Sequence, residues 1–181
     1  KIVFFYTMNI NGFAYTDYMT DRIITSCDEL MECAAEISVR NVEKTLGPFG
    51  SVLVKTGTNE IVAGEGNTVT RDNDPTAHSE MNTIRAACRE LGTFDLTGYT
   101  LYTSCECCPM CLSAVYWSHI DKVYYSNTQH DAAAIGFDDA FIYEEIAKPM
   151  EERTTEFIHI PNETAKKAFH MWKTADNKVE Y

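Results

Sequence analysis

Two short stretches of this sequence could do chemistry together. The first is His78-Ser79-Glu80, and the second is Cys105-Glu106-Cys107-Cys108-Pro109-Met110-Cys111. An imidazole from His78 and two thiolates from Cys108 and Cys111 suit Zn2+, one ion per subunit. Three protein ligands leave the fourth tetrahedral position for water, the arrangement of a hydrolytic site. Glu80, two residues past His78, is then a carboxylate free to move protons beside that position. Each signal is weak alone: His-x-Glu arises often by chance, and Cys-x-x-Cys can be a redox pair or half of a structural zinc knuckle. Cys105, Cys107, Cys108 and Cys111 could even supply a four-sulfur structural ion, although ligands so close in sequence rarely close a tetrahedron. The conjunction of His-x-Glu, a strand and then Cys-x-x-Cys is far more specific.

These groups must be held by regular elements, and the spacing of apolar residues suggests which. Leu30, Cys33, Ala34, Ile37, Asn41 and Val42 follow a helical period between Asp28 and Lys44, ended by Gly47-Pro48-Phe49-Gly50. Residues 51–55 and 60–63 read as a hairpin around Thr56-Gly57-Thr58-Asn59. Asp74 as a cap and Pro75 in the first turn predict a helix running to Gly92, buried along Met81, Ile84, Cys88 and Leu91. His78 then falls in its first turn. A strand over 99–103, a helix over 109–119 and a strand over 122–126 follow. Helices over 138–148 and 164–173 flank an extended stretch at 155–160. Helix starts favour thiolate over thiol, so two of them facing one another can assemble the ligand set. The alternation predicts an α/β fold, a three-layer α/β/α sandwich around a mixed sheet.

Composition narrows the partners. Fifteen basic against 27 acidic residues give a net charge of −12 among 181 residues, with no basic run. That disfavours binding to nucleic acid, which depends on clustered Lys and Arg. Seven cysteines, four of them within one heptapeptide, read as reduced thiols in the cytoplasm and not as a disulfide scaffold. The apolar run Ile2-Val3-Phe4-Phe5-Tyr6 is too short for a signal-peptide core or a membrane span. Residues 1–26 read as an N-terminal extension, and 27–181 as the domain that carries the zinc chemistry.

From about Asp28 onward the chain resembles the cytidine deaminase-like superfamily, and within it the guanine deaminases of bacterial type. The resemblance is carried by Gly47-Pro48-Phe49-Gly50, Asn73-Asp74-Pro75-Thr76-Ala77-His78-Ser79-Glu80 and Leu101-Tyr102-Thr103-Ser104-Cys105-Glu106. Cys108-Pro109-Met110-Cys111-Leu112, Tyr116-Trp117 and Gly136-Phe137-Asp138-Asp139-Ala140-Phe141-Ile142-Tyr143 continue it, with Trp172 and Glu180-Tyr181 at the end. It implies hydrolysis of guanine to xanthine and ammonia, with Glu80 carrying protons to ring N3 and then to the departing amine. Asn67 is expected to bond the purine edge, and Asp139 to accept from guanine's N–H groups and assist proton transfer. Phe49 and Trp117 match aromatic pocket positions, and Ser79 matches a position whose backbone N–H contacts substrate.

The resemblance further implies a homodimer in which the tail, residues 161–181, exchanges between subunits and Tyr181 closes the neighbouring site. Two positions depart from the family: Ser79 stands where Ala is usual, and Cys107 where Pro is expected. The latter substitution predicts weaker preorganisation with zinc retained. A guanosine deaminase shares most of these motifs, and a catalytically silent zinc-stabilised scaffold is the reading from a different class. Retention of Glu80 argues against the scaffold, since structural zinc needs no spare carboxylate.

Overall fold

The computed structural model describes Ile24 and residues 26–180. Most of the expected N-terminal extension and Tyr181 therefore lie outside the described residues. Residues up to Asp139 and residues from Ala140 onward form two compact units.

Helix α1 (Cys27–Glu43) opens the first unit with a capping box, in which Ser26 and Glu29 satisfy one another's backbone N–H groups. Strands β1 (Gly50–Lys55) and β2 (Ile61–Gly66) form the expected antiparallel hairpin. A single helical turn, α2 (Val69–Asp72), precedes α3 (Ser79–Leu91). Then come β3 (Tyr99–Cys105), α4 (Pro109–Trp117), β4 (Lys122–Asn127) and the short α5 (Gln129–Ala134). The sheet order is β2-β1-β3-β4, antiparallel except for the β3/β4 pair. Parallel neighbours need a crossover, and α4 supplies it.

Strand alternation divides the core between the two faces of the sheet. Val52, Val54 and Tyr102 pack against Leu30, Cys33, Ala34 and Ile37 of α1. Leu53 and Leu101 point the other way, against Ile84 and Ala87 of α3 and Cys111 and Val115 of α4. Fully burying one such leucine contributes about 2 kcal/mol. The three-layer mixed α/β sandwich is thus observed. Gly50 lets α1 cross β1 closely: a Cβ there would sit 2.5 Å from the Ala34 carbonyl oxygen.

Several local expectations change. Helix α3 begins at Ser79, because the Asp74 carboxylate caps a turn by accepting from the Thr76 N–H and hydroxyl instead of starting the helix. His78 is consequently the N-cap residue and not part of the first turn. Val42 is 52% exposed and leaves the core stripe of α1, while Thr83 and Ala87 join that of α3. In the second unit α6 (Ala140–Ala147) and α7 (Glu163–Thr174) form as expected, with a 3-10 turn at Met150–Glu152. Residues 156–160 have no strand partner among the described residues.

Candidate metal centre and active site

The two helix starts of the first unit converge. His78 is the N-cap of α3 and Cys108 the N-cap of α4, and the extended backbone of both aims their side chains past the helix ends. Pro109 at the next position fixes φ where its missing N–H costs nothing. Cys108 Sγ lies 3.5 Å from His78 Nδ1, and Cys111 Sγ lies 3.6 Å from it. A tetrahedral zinc with ordinary S and N bond lengths separates such ligands by about 3.6 Å. All three ligand atoms fall within 4.8 Å of one another, so the donor set fits a zinc ion without rearrangement.

Electrostatics favour the ligand form of Cys108. Cys108 accepts the Cys111 backbone N–H. A hydrogen bond from the Cys111 thiol, aided by His78, outweighs burial and brings the Cys108 thiol down to about 4. Sharing its proton with Cys108, together with burial, raises the Cys111 thiol. His78 is raised above its ordinary value, chiefly through its bond to Cys108. Of the two thiols, Cys108 is the one whose surroundings favour the thiolate.

Glu80 is only 5% exposed and sits against this group, with Oε2 3.5 Å from Cys111 Sγ. Two buried hydroxyls hold it: Ser79 donates to Oε2 at 3.0 Å and Thr103 to Oε1 at 3.1 Å. Ser79 is N-terminal in α3 as expected, with its hydroxyl engaged as well. Thr103 was missed, since a threonine inside a strand looks like any β-former.

Asn67 is buried beside β2; its Oδ1 accepts the Val69 N–H, and its carbonyl accepts from Asn41 Nδ2 at 2.7 Å. Asn41 also donates to the Gly47 carbonyl, so α1 tethers both sides of the loop carrying Phe49. Phe49 meets Phe137 edge to face, with centroids 5.0 Å apart, and this joins the Gly-Pro-Phe-Gly and Gly-Phe-Asp-Asp segments. Asp139 accepts from Gln129 Nε2 at 2.7 Å, and its charge reaches His78. Phe137 stood out in the sequence only as part of the Gly-Phe-Asp-Asp motif, and Gln129 carried no recognisable signal.

Trp117 lies at the far end of α4, roughly 9 Å from Cys111 and 13 Å from Cys108 along the helix at 1.5 Å per residue, and is 66% exposed. Tyr181 is outside the described residues. Cys107 packs in the core with Ile84 and Val115, and burial pushes its thiol up. Burial also raises Cys105, to about 11, and its Sγ donates to the Thr128 carbonyl. Among the described residues the possible metal-holding group is His78, Cys108 and Cys111, with neither Cys105 nor Cys107 in it.

Residues 25–127 match the cytidine and deoxycytidylate deaminase zinc-binding region. The chain belongs to that zinc-dependent deaminase family. Within it, the chain is 50% identical over 135 residues to a guanine deaminase of Bacillus subtilis, covering 75% of this chain and 85% of that protein. The X-ray structure of guanine deaminase from Bacillus subtilis superposes with a TM-score of 0.82 at 44% identity, over 87% of this chain and 99% of that one. A tRNA-specific adenosine deaminase of Aquifex aeolicus is 42% identical over 96 residues, covering 53% of this chain and 62% of that protein. The deaminase family to which the chain belongs uses zinc.

Proposed function

We propose that this deaminase hydrolyses guanine to xanthine and ammonia. The observation that carries the reading is the buried Glu80 carboxylate set against the His78, Cys108 and Cys111 group, in a chain half identical to a guanine deaminase. His78, Cys108 and Cys111 would hold zinc, and the ion, when bound, supplies an acidified water as the nucleophile for C2. Glu80 takes the proton of that water and delivers it to N3. It then transfers the second water proton to the departing amine, so that water and guanine leave as xanthine and ammonia. Asp139 accepts from guanine N1–H and the exocyclic amine, an assignment suited to an acceptor-only carboxylate. Adenine lacks that donor pair and would leave the carboxylate unpaired. Asn67 presents its amide to the ring edge, Ser79 its backbone N–H, and Phe49 a flat apolar wall.

The active form we propose is a homodimer with exchanged C-terminal segments, in which Trp117 and the partner's Tyr181 line one site. Two features support it. Among the described residues strand β4 has β3 as its only neighbour and leaves Tyr124 and Tyr125 partly exposed. Helix α7 presents Phe169, Met171 and Trp172 with no buried residue. A cytoplasmic location fits seven unbridged cysteines, and no described helix is long and apolar enough to cross a membrane.

The test is ammonia release from guanine, guanosine, adenine and cytosine by zinc-loaded protein. Guanine turnover with xanthine as product is expected. Turnover of guanosine alone would overturn the substrate assignment, and no release from any base would favour the scaffold.

A further inference from the structure

We propose that Ser79 and Thr103 are positioning residues that fix the plane of the Glu80 carboxylate, one hydroxyl on each oxygen. The inference rests on Glu80 being the proton carrier and says how the protein aims it. A buried carboxylate is costly without hydrogen-bond donors, and three side chains here offer one: Ser79, Thr103 and the Cys111 thiol. Cys111 as a metal ligand would be a thiolate with no proton to give. The two hydroxyls are then the side-chain donors that remain.

They act from different elements and along different directions. Thr103 faces the α3 side of the sheet, as Leu101 does two residues earlier, and its β-branch restricts χ1. Opposite it in register, Ser51 pairs its hydroxyl with Thr83 of α3 at 2.8 Å, so a layer of buried hydroxyls joins sheet and helix behind Glu80. Ser79 adds a donor from within α3 itself. With both oxygens engaged, rotation of the carboxylate breaks two bonds together, and the proton-carrying lone pairs keep one direction.

The experiment compares Ser79→Ala, Thr103→Val and Thr103→Ser with the parent in the zinc-loaded full chain, at matched zinc content. Ser79→Ala and Thr103→Val should each lower kcat for guanine about tenfold with KM within about twofold, and Thr103→Ser should recover most of the loss. A second readout needs no turnover. Infrared difference spectra against Glu80→Gln isolate the carboxylate stretches, which should shift in Ser79→Ala and Thr103→Val and return in Thr103→Ser. Unmoved bands, unchanged kcat, a rise confined to KM, or loss of zinc in both deletions would each overturn the proposal. A parent protein inactive on guanine would refute the proposed activity instead, and the infrared bands would still decide what the hydroxyls do.

Discussion

The two units of this chain solve different problems. The first builds its own core on both faces of a four-stranded sheet, and the candidate metal group and Glu80 lie wholly within it. The second places eight residues in α6 and twelve in α7 and buries none of them, although Phe141, Ile146, Phe169 and Trp172 are apolar. Among the described residues these apolar side chains stay exposed, which fits the partner surface proposed above. The candidate chemistry thus lies in the first unit and the proposed dimer contact in the second.

Breaking the chemical half should have the largest effect. Glu80→Ala is expected to lower kcat about 10³-fold while zinc content and circular dichroism stay at parent values; loss of metal would make Glu80 a structural residue. The next effect tests the second unit. Phe169→Asp, at a residue 82% exposed in the single chain, should shift the proposed dimer to monomer in sedimentation, a loss of about 3 kcal/mol of association. An unchanged sedimentation coefficient would remove α7 from the interface.

Cys107→Ala should retain full zinc and cost about 1 kcal/mol of stability, because the thiol fills space in the core; zinc loss measured by metal analysis would return it to the ligand set. The smallest effect concerns Glu65, half-buried on β2 and raised above 4.5 by desolvation against the opposing pull of Arg71 and Arg89. Its folded form binds a proton more readily than its unfolded form. Stability is therefore highest below pH 4.5 with respect to this group and declines as pH rises through the folded value. Glu65→Gln should raise Tm by about 1–2 °C at pH 7 and by nothing near pH 4; an equal gain at both would assign the effect to packing.

The candidate metal group was legible in the sequence because helix starts are local. A proline after Cys108, a three-residue gap to Cys111 and a carboxylate two residues from His78 need no tertiary information. Asp74-Pro75 misled for the same reason: the local signal for a cap is also the signal for a turn, and hydrogen bonds to Thr76 decided between them. Gln129 stayed hidden, and Thr103 and Phe137 showed only as members of motifs, because their contacts join residues distant in the chain. Residues 155–160 carry β-prone side chains, yet a strand also requires a neighbour, and composition does not say where one comes from.

Asn41 reaches from α1 to the carbonyls of both Gly47 and Asn67, and Gly66 leaves it room, since a Cβ there would meet Asn41 Oδ1 at 2.5 Å. The loop that would greet the purine therefore hangs from one layer of the sandwich, and the acid that would transform it hangs from the opposite layer. Phe49 can therefore be varied without touching Ser79 or Thr103, the two hydroxyls that hold Glu80.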